Sequence, residues 1–288
     1  MKHGIYYAYW EHEWKADYRK YIEKVSKLGF DVLEIAATPL VDYSDNQLIE
    51  LKKCARDHGL ILTVNHGPSP EQNLSSADPD IRTNAKAFFT DLLQRIYKLD
   101  AHILGGALFS YWPVDYTKRL SKEEDWNRSV EGIREIAGIA EECGVYCCLE
   151  VLNRFENYLI NTSLEGIKFV KQVEHPNVKI LLDTFHMNIE EDSIGGAIRT
   201  AGNYLGHLHT GECNRKVPGK GRIPWLEIGE ALNDIQYDGN IVMEPFVKMG
   251  GTVGSDIKVW RDLSSGANEA KMDDDAREAL NFSRYMLG

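Results

Sequence analysis

The sequence predicts an α/β protein folded as one closed (β/α)8 barrel of the TIM-barrel class, and three observations predict it. Apolar runs alternate between strand-like and helix-like spacing eight times along 288 residues, with no linker or low-complexity break. Each strand–helix unit takes roughly 30 to 40 residues, as the units of such barrels do. The last four strand-like runs close on a carboxylate or an imidazole, and a parallel barrel brings all its strand ends to one face. A doubly wound open sheet would carry fewer units at this length, and no glycine-rich phosphate fingerprint follows the first strand. One domain is therefore expected to span residues 1–288, with a C-terminal helix closing the chain.

The elements follow in order. Ile5 to Trp10 is the first apolar run. Tyr18, Tyr21, Ile22, Val25 and Leu28 recur at helical spacing and stop at Gly29, a helix-ending residue. Phe30 to Ala36 is the second strand. Ser44 and Gln47 stand at capping-box spacing and open a helix that ends at His58-Gly59. Leu60 to Val64 is the third strand. Asp78-Pro79 starts a long helix through Ile81, Phe88, Leu92, Ile96 and Leu99, and Ala101 to Ala107 is the fourth strand. Ser121 and Glu124 repeat the capping-box spacing ahead of the stripe Val130, Ile133, Ala137 and Ala140. Strand five ends at Glu150, strand six at Asp183, strand seven at His209 and strand eight at Glu244. Helices lie between them near Leu164 to Val173, Ile194 to Thr200 and Trp225 to Ile235, and a last one runs from Asp273 to Leu287.

Composition narrows the function. With 43% hydrophobic residues the chain can bury a sizeable core, and its formal charge of -11 disfavours a nucleic-acid partner, whose phosphates it would repel. No apolar run approaches the ~20 residues that span a bilayer. Five cysteines, an odd number without framework spacing, and an opening Met1-Lys-His-Gly-Ile-Tyr-Tyr that enters a strand at once lead to an expectation of a reduced, cytoplasmic protein.

Glu150, Asp183, His209 and Glu244 are the candidate metal ligands. Three carboxylates and one imidazole suit Mn²⁺, Co²⁺ or Mg²⁺ better than an ion that favours thiolates. A single acid at a strand end is commonly a helix cap or a solvated turn residue; four consecutive strands ending this way argue for a site. Just beyond these ends lie Glu156, His186 and Arg215, at loop-top positions where a polyol would find donors and acceptors. His207 shares a strand face with His209 and reads as a core or supporting residue rather than a ligand. Tyr6, Trp112 and the Gly105-Gly106-Ala107 run offer an apolar wall. Cys147 and Cys148 read as small core residues, because no cationic activator adjoins them.

Glu150-Val-Leu-Asn-Arg-Phe-Glu156, Leu182-Asp-Thr-Phe-His-Met-Asn-Ile-Glu190, His209-Thr-Gly-Glu212 with Arg215, and Met243-Glu-Pro-Phe246 together resemble the ketose 3-epimerases of the D-tagatose 3-epimerase-like group, and the likeness runs the length of the chain. The resemblance implies a xylose isomerase-like barrel, dimeric or tetrameric, using one Mn²⁺ or Co²⁺ ion per subunit to epimerise free ketoses at C3, with D-fructose and D-psicose as the expected pair. It implies Glu150, Asp183, His209 and Glu244 as ligands, Glu156, His186 and Arg215 as contacts to substrate hydroxyls, and Tyr6, Ala107 and Trp112 as pocket lining. Asn65 departs from the smaller residue expected there and bears on the distal shape of the pocket. Epimerisation needs proton removal on one face of C3 and delivery on the other, and Glu150 and Glu244 are the expected acid–base pair. An aldose–ketose isomerase or a dehydratase on the same barrel is the nearest alternative, with a metal-dependent endonuclease or a non-catalytic sugar binder more remote.

Overall fold

A computed structural model describes residues 1–288 and closes eight parallel strands into a barrel in sequence order. The strands are β1 (Lys2–Tyr6), β2 (Val32–Ala36), β3 (Ile61–His66), β4 (Ile103–Gly106), β5 (Tyr146–Glu150), β6 (Val178–Asp183), β7 (Leu205–Thr210) and β8 (Asn240–Met243). The helices are α1 (Tyr18–Leu28), α2 (Asp45–Asp57), α3 (Pro79–Leu99), α4 (Lys122–Glu142), α5 (Ser163–Val173), α6 (Thr184–Glu190), α7 (Ile194–Ala201), α8 (Trp225–Asp234), α9 (Gly251–Asp256) and α10 (Glu269–Leu287). Pairing of β1 with β8, from Lys2 opposite Asn240 to Ile5 opposite Met243, seals the sheet and leaves no free edge. α10 closes the chain against β1: Ser283 Oγ lies 3.1 Å from His3 Nδ1, and Arg284 donates to Asp31 at 3.2 Å.

Local signals in the sequence account for most boundaries. α1 stops at Gly29, at φ 93°, and Ser44 and Gln47 form the expected capping box of α2. Asp78 caps α3 through the Asp80 N–H. Three expectations are corrected. The first strand runs earlier than Ile5 to Trp10, as β1, and Tyr7–Trp10 turns into a 3-10 helix. That aromatic run is buried throughout, so its apolar pattern could not distinguish a strand from a packed turn. Ser121 and Glu124 make no capping box; the Asp125 carboxylate instead takes the Ser121 N–H, at 3.2 Å. His186 lies on the short helix α6 rather than in an open loop.

Along each strand alternate residues point inward, so a residue at the rim stands above another two positions earlier. Asn65 stands above Thr63, Glu150 above Cys148, Asp183 above Leu181, His209 above His207 and Glu244 above Val242. The register slips between Ile180/Leu181 of β6 and its β7 partners, where Leu205 and His207 are matched and Gly206 is the extra residue. A Cβ on Gly206 would come within 2.6 Å of the Lys179 Cβ, so the close approach of the strands requires glycine. Beyond the slip, His209 is level with Asp183.

Candidate active site

Four strand ends converge at the C-terminal rim of the barrel. Ligand atoms of Glu150, Asp183, His209 and Glu244 all lie within 4.8 Å of one another, and all four residues are buried. His209 Nδ1 faces the other three almost symmetrically, at 3.8 Å from Glu150 Oε1, 3.9 Å from Asp183 Oδ2 and 3.7 Å from Glu244 Oε2. Asp183 divides its carboxylate between two tasks. Oδ1 caps α6 by accepting the Phe185 N–H at 2.5 Å and the His186 N–H at 3.4 Å. Oδ2 is buried without a partner, as is His209 Nδ1.

Three carboxylates around one imidazole nitrogen are electrostatically incomplete. Burial pushes the Glu244 carboxyl well above its usual range, and the nearby Glu150 and Asp183 charges push it further, against the pull of His209. His209 is held well above an ordinary imidazole; burial opposes this, but Glu34 and Glu244 outweigh it. Neutralising such a cluster takes protons or a cation. The orphaned Asp183 and His209 atoms and the hard-oxygen donor set fit a divalent ion.

Above these groups opens a cavity of about 210 Å³. Glu150, Glu156, His186, Arg215 and Glu244 supply its polar wall, while Tyr6, Ala107 and Trp112 lie on the apolar side. The structure thus brings all the predicted lining residues to one pocket, while Asp183 and His209 lie outside its lining, with ligand atoms within 4.8 Å of those of Glu150 and Glu244. Glu156 is the hub of the polar wall: it accepts from Trp112 Nε1 at 3.1 Å, Asn153 Nδ2 at 3.1 Å and Arg215 Nη2 at 2.9 Å. Burial alone would raise its carboxyl, but His186 and Arg215 hold it below the usual range. His186 Nδ1 accepts the Asn153 backbone N–H at 3.3 Å, which leaves Nε2 toward Glu150 Oε1, 3.6 Å away.

Arg215 is set by backbone strain as well as by charge. Its φ of 63° is uncommon for a residue with a Cβ, and the guanidinium carbon sits 3.6 Å from the Phe185 ring centre. Nε and Nη1 are buried without partners, and Nη1 stands 3.8 Å from Glu244 Oε2. The arginine therefore presents unused donors beside a candidate acid–base.

Sequence reasoning missed part of the pocket. Trp14, Phe246 and Ile257, His66 at the end of β3 and Asp256 at the end of α9 also line it, from segments whose meeting no local signal announces. Trp14 donates to Asp256 Oδ2 at 2.7 Å and stands edge-on to Trp112 at 6.1 Å, so the loops after β1 and β8 meet over the cavity. Asn65 lines the pocket as well and backs onto Gly106, whose φ of 112° and contact with the His66 carbonyl exclude a side chain. Glu34, beneath the rim, was also missed, although a lone acid between Leu33 and Ile35 is a legible signal. Burial would raise its carboxyl, but His209 and His207 outweigh that and hold it well below the usual range. Cys147 and Cys148 are buried, and burial pushes both thiols up, so neither is a nucleophile.

Comparison with known proteins is consistent with this geometry. The xylose isomerase-like TIM barrel family matches residues 22–280. A D-psicose 3-epimerase of Ruminiclostridium cellulolyticum is 74% identical over 287 residues, covering 100% of this chain and 98% of that protein. A D-psicose 3-epimerase of Agrobacterium fabrum is 62% identical over 288 residues, covering 100% of both chains. The crystal structure of D-psicose 3-epimerase with D-tagatose from Clostridium cellulolyticum H10 superposes with a TM-score of 0.99 at 74% identity, over 100% of this chain and 99% of that one.

Proposed function

The chain belongs to the xylose isomerase-like TIM barrel family and, within it, to the ketose 3-epimerases, and from that premise we propose that it interconverts D-fructose and D-psicose (D-allulose) by moving a proton at C3. The observation that carries this reading is the pairing of Glu150 and Glu244. They stand at the ends of β5 and β8, three strand steps apart, and border one cavity. Two carboxylates so placed can address C3 of a bound ketose from opposite faces, one removing the proton and the other returning one.

Glu150, Asp183, His209 and Glu244 would hold one divalent ion, which we assign as Mn²⁺ or Co²⁺ with Mg²⁺ as the alternative. When bound, that ion supplies Lewis-acid stabilisation of the negative charge that develops as C3 loses its proton. The chain's own groups do the rest. Arg215 and Glu156 hold hydroxyls, with Arg215 Nη1 free to donate near Glu244. His186 donates from Nε2, because Asn153 occupies Nδ1. Tyr6, Ala107 and Trp112 exclude water from the apolar side of the sugar.

The test is product analysis in D₂O. Metal-loaded protein given D-fructose should yield D-psicose carrying deuterium at C3, since the removed and the delivered protons sit on different carboxylates. High retention of the original C3 hydrogen would refute the two-base assignment, and an aldose product would refute epimerisation itself.

Residues 1–288 are read as one domain, because β1 and β8 pair and α10 returns to β1. No helix is long and apolar enough to cross a membrane, and five free thiols support a reducing, cytoplasmic setting. Phe155, 73% exposed, and Trp260, 72% exposed, line a second cavity that shares Trp112, Glu156 and Arg215 with the first. Such apolar exposure supports a homodimer or homotetramer, which light scattering on the eluting protein checks; a monomer at micromolar concentration would refute it.

A further inference from the structure

One buried acid takes no part in the chemistry above. Glu34 lies in the middle of β2, and none of its surface reaches solvent. A carboxylate there is costly unless donors surround it. Three converge on it from two strands. Thr63 Oγ1, on β3, donates to Oε2 at 2.8 Å. His207 Nε2, on β7, stands 2.9 Å from the same oxygen. His209 Nε2 stands 2.6 Å from Oε1. The last contact is short, and neither of its atoms has another partner.

The two nitrogens of His209 therefore face different things. Nε2 meets Glu34, and Nδ1 meets the three rim carboxylates. A metal-binding imidazole must keep its proton on the nitrogen that is not a ligand, and an anion behind the ring enforces that. Resting on the metal-site reading above, we propose that Glu34 is a positioning residue: gripped by Thr63 and His207, it takes the proton-bearing Nε2 of His209 and fixes the ring with Nδ1 toward the cation. His207 then has a defined task. It supports Glu34 from the strand that carries His209, which explains a fully buried histidine whose Nδ1 has no partner. Glu34, His207 and His209 also lie close enough together to chelate an ion themselves. The short contacts they already make with each other, and the Thr63 bond, favour a support instead.

The experiment compares cobalt-loaded parent, Glu34→Gln and Thr63→Val proteins. It measures ion content, the visible Co²⁺ absorption spectrum, and the rate of ion loss to excess chelator. Glu34→Gln should hold its ion about 10- to 100-fold less tightly, the usual cost of losing such a support, with an altered spectrum at saturating cobalt. Thr63→Val leaves His207 on the carboxylate, and should shift retention the same way by about 2- to 10-fold, the worth of one hydrogen bond. Parental retention and spectrum in both variants would overturn the proposal. If Glu34→Gln does not fold, Thr63→Val decides alone, and parental behaviour there overturns it. Two ions per parent chain, with one lost in Glu34→Gln, would make Glu34 a ligand and overturn the positioning role. A parent that takes up no divalent ion overturns the metal reading and this inference together, whereas a metal-binding parent matched by its variants overturns this inference alone.

Discussion

Strands β5 to β8 bring Glu150, Asp183, His209 and Glu244 to the pocket, whereas β1 to β4 bring Tyr6, Ala36, Asn65 and Ala107. The charged half cannot satisfy itself: Asp183 Oδ2, His209 Nδ1 and Arg215 Nη1 are buried without partners. Of the residues that line the pocket from the other half, His66 Nδ1 alone is buried without a partner, and its aromatic wall leans on the segment after β8, with Tyr6 edge-on to Phe246 at 6.1 Å and Trp14 bonded to Asp256. Unsatisfied polar groups are where a ligand or ion gains most, and satisfied aromatic walls are where shape is read. Changes in the first half should therefore act on metal content and turnover, and changes in the second on substrate affinity or stability.

The largest expected effect is metal removal. A chelator should abolish activity, Mn²⁺ or Co²⁺ should restore it best, and Asp183→Ala should lose both ion and turnover. Full activity in protein shown metal-free by elemental analysis would break the comparison at its strongest point. Next come Glu150→Gln and Glu244→Gln, each expected to cost about 10² to 10⁴-fold in kcat, the range for a positioned acid or base. Because both residues are candidate ligands, the loss is assigned to proton transfer only in variants whose ion content matches the parent.

Arg215→Ala should lower kcat/KM by about 10²-fold while leaving the ion in place, because it breaks a largely buried pair with Glu156. Ion loss equal to that of Asp183→Ala would instead make Arg215 part of the metal site's framework.

The other half should respond to pH through stability. His66 is buried, which pushes its pKa down from 6.5 to about 4. Between those values the unfolded chain takes up the proton and the folded one resists, so stability is full above pH 6.5 and falls as the pH drops toward 4. The gap amounts to about 3 kcal/mol. His66→Phe, stacked on Phe88 as the imidazole is, should flatten the dependence of the denaturation midpoint on pH in that window. An unchanged slope would place the acid sensitivity elsewhere.

The smallest effect belongs to Trp112→Phe, which keeps the ring and removes the indole donor to Glu156. One hydrogen bond among three predicts about 1 kcal/mol, a few-fold rise in KM with kcat little changed. A large fall in kcat would move Trp112 into the charged half functionally.

The strand order and the three rim acids with their imidazole were legible because each rests on a local pattern: a period-two apolar run, a cap, and a charged residue where the run stops. Boundaries failed where one pattern served two structures, as in Tyr7–Trp10, which is equally apolar as a strand or a buried turn. Pocket residues failed where the partners lie far apart in sequence, as with Trp14 and Asp256, 242 residues apart.

Composition and periodicity alone thus determined the barrel, the rim that carries the candidate site, and the four groups that suit a hard cation, since these depend on spacing within single strands and on shared strand direction. Only the tertiary structure decided which face of His209 meets the carboxylates, that Glu34 stands behind it, and that two distant loops meet over the cavity. Those features depend on distances across the barrel, between β2 and β7 or between the ends of β1 and β8, and no periodicity within a strand encodes a distance to a strand elsewhere.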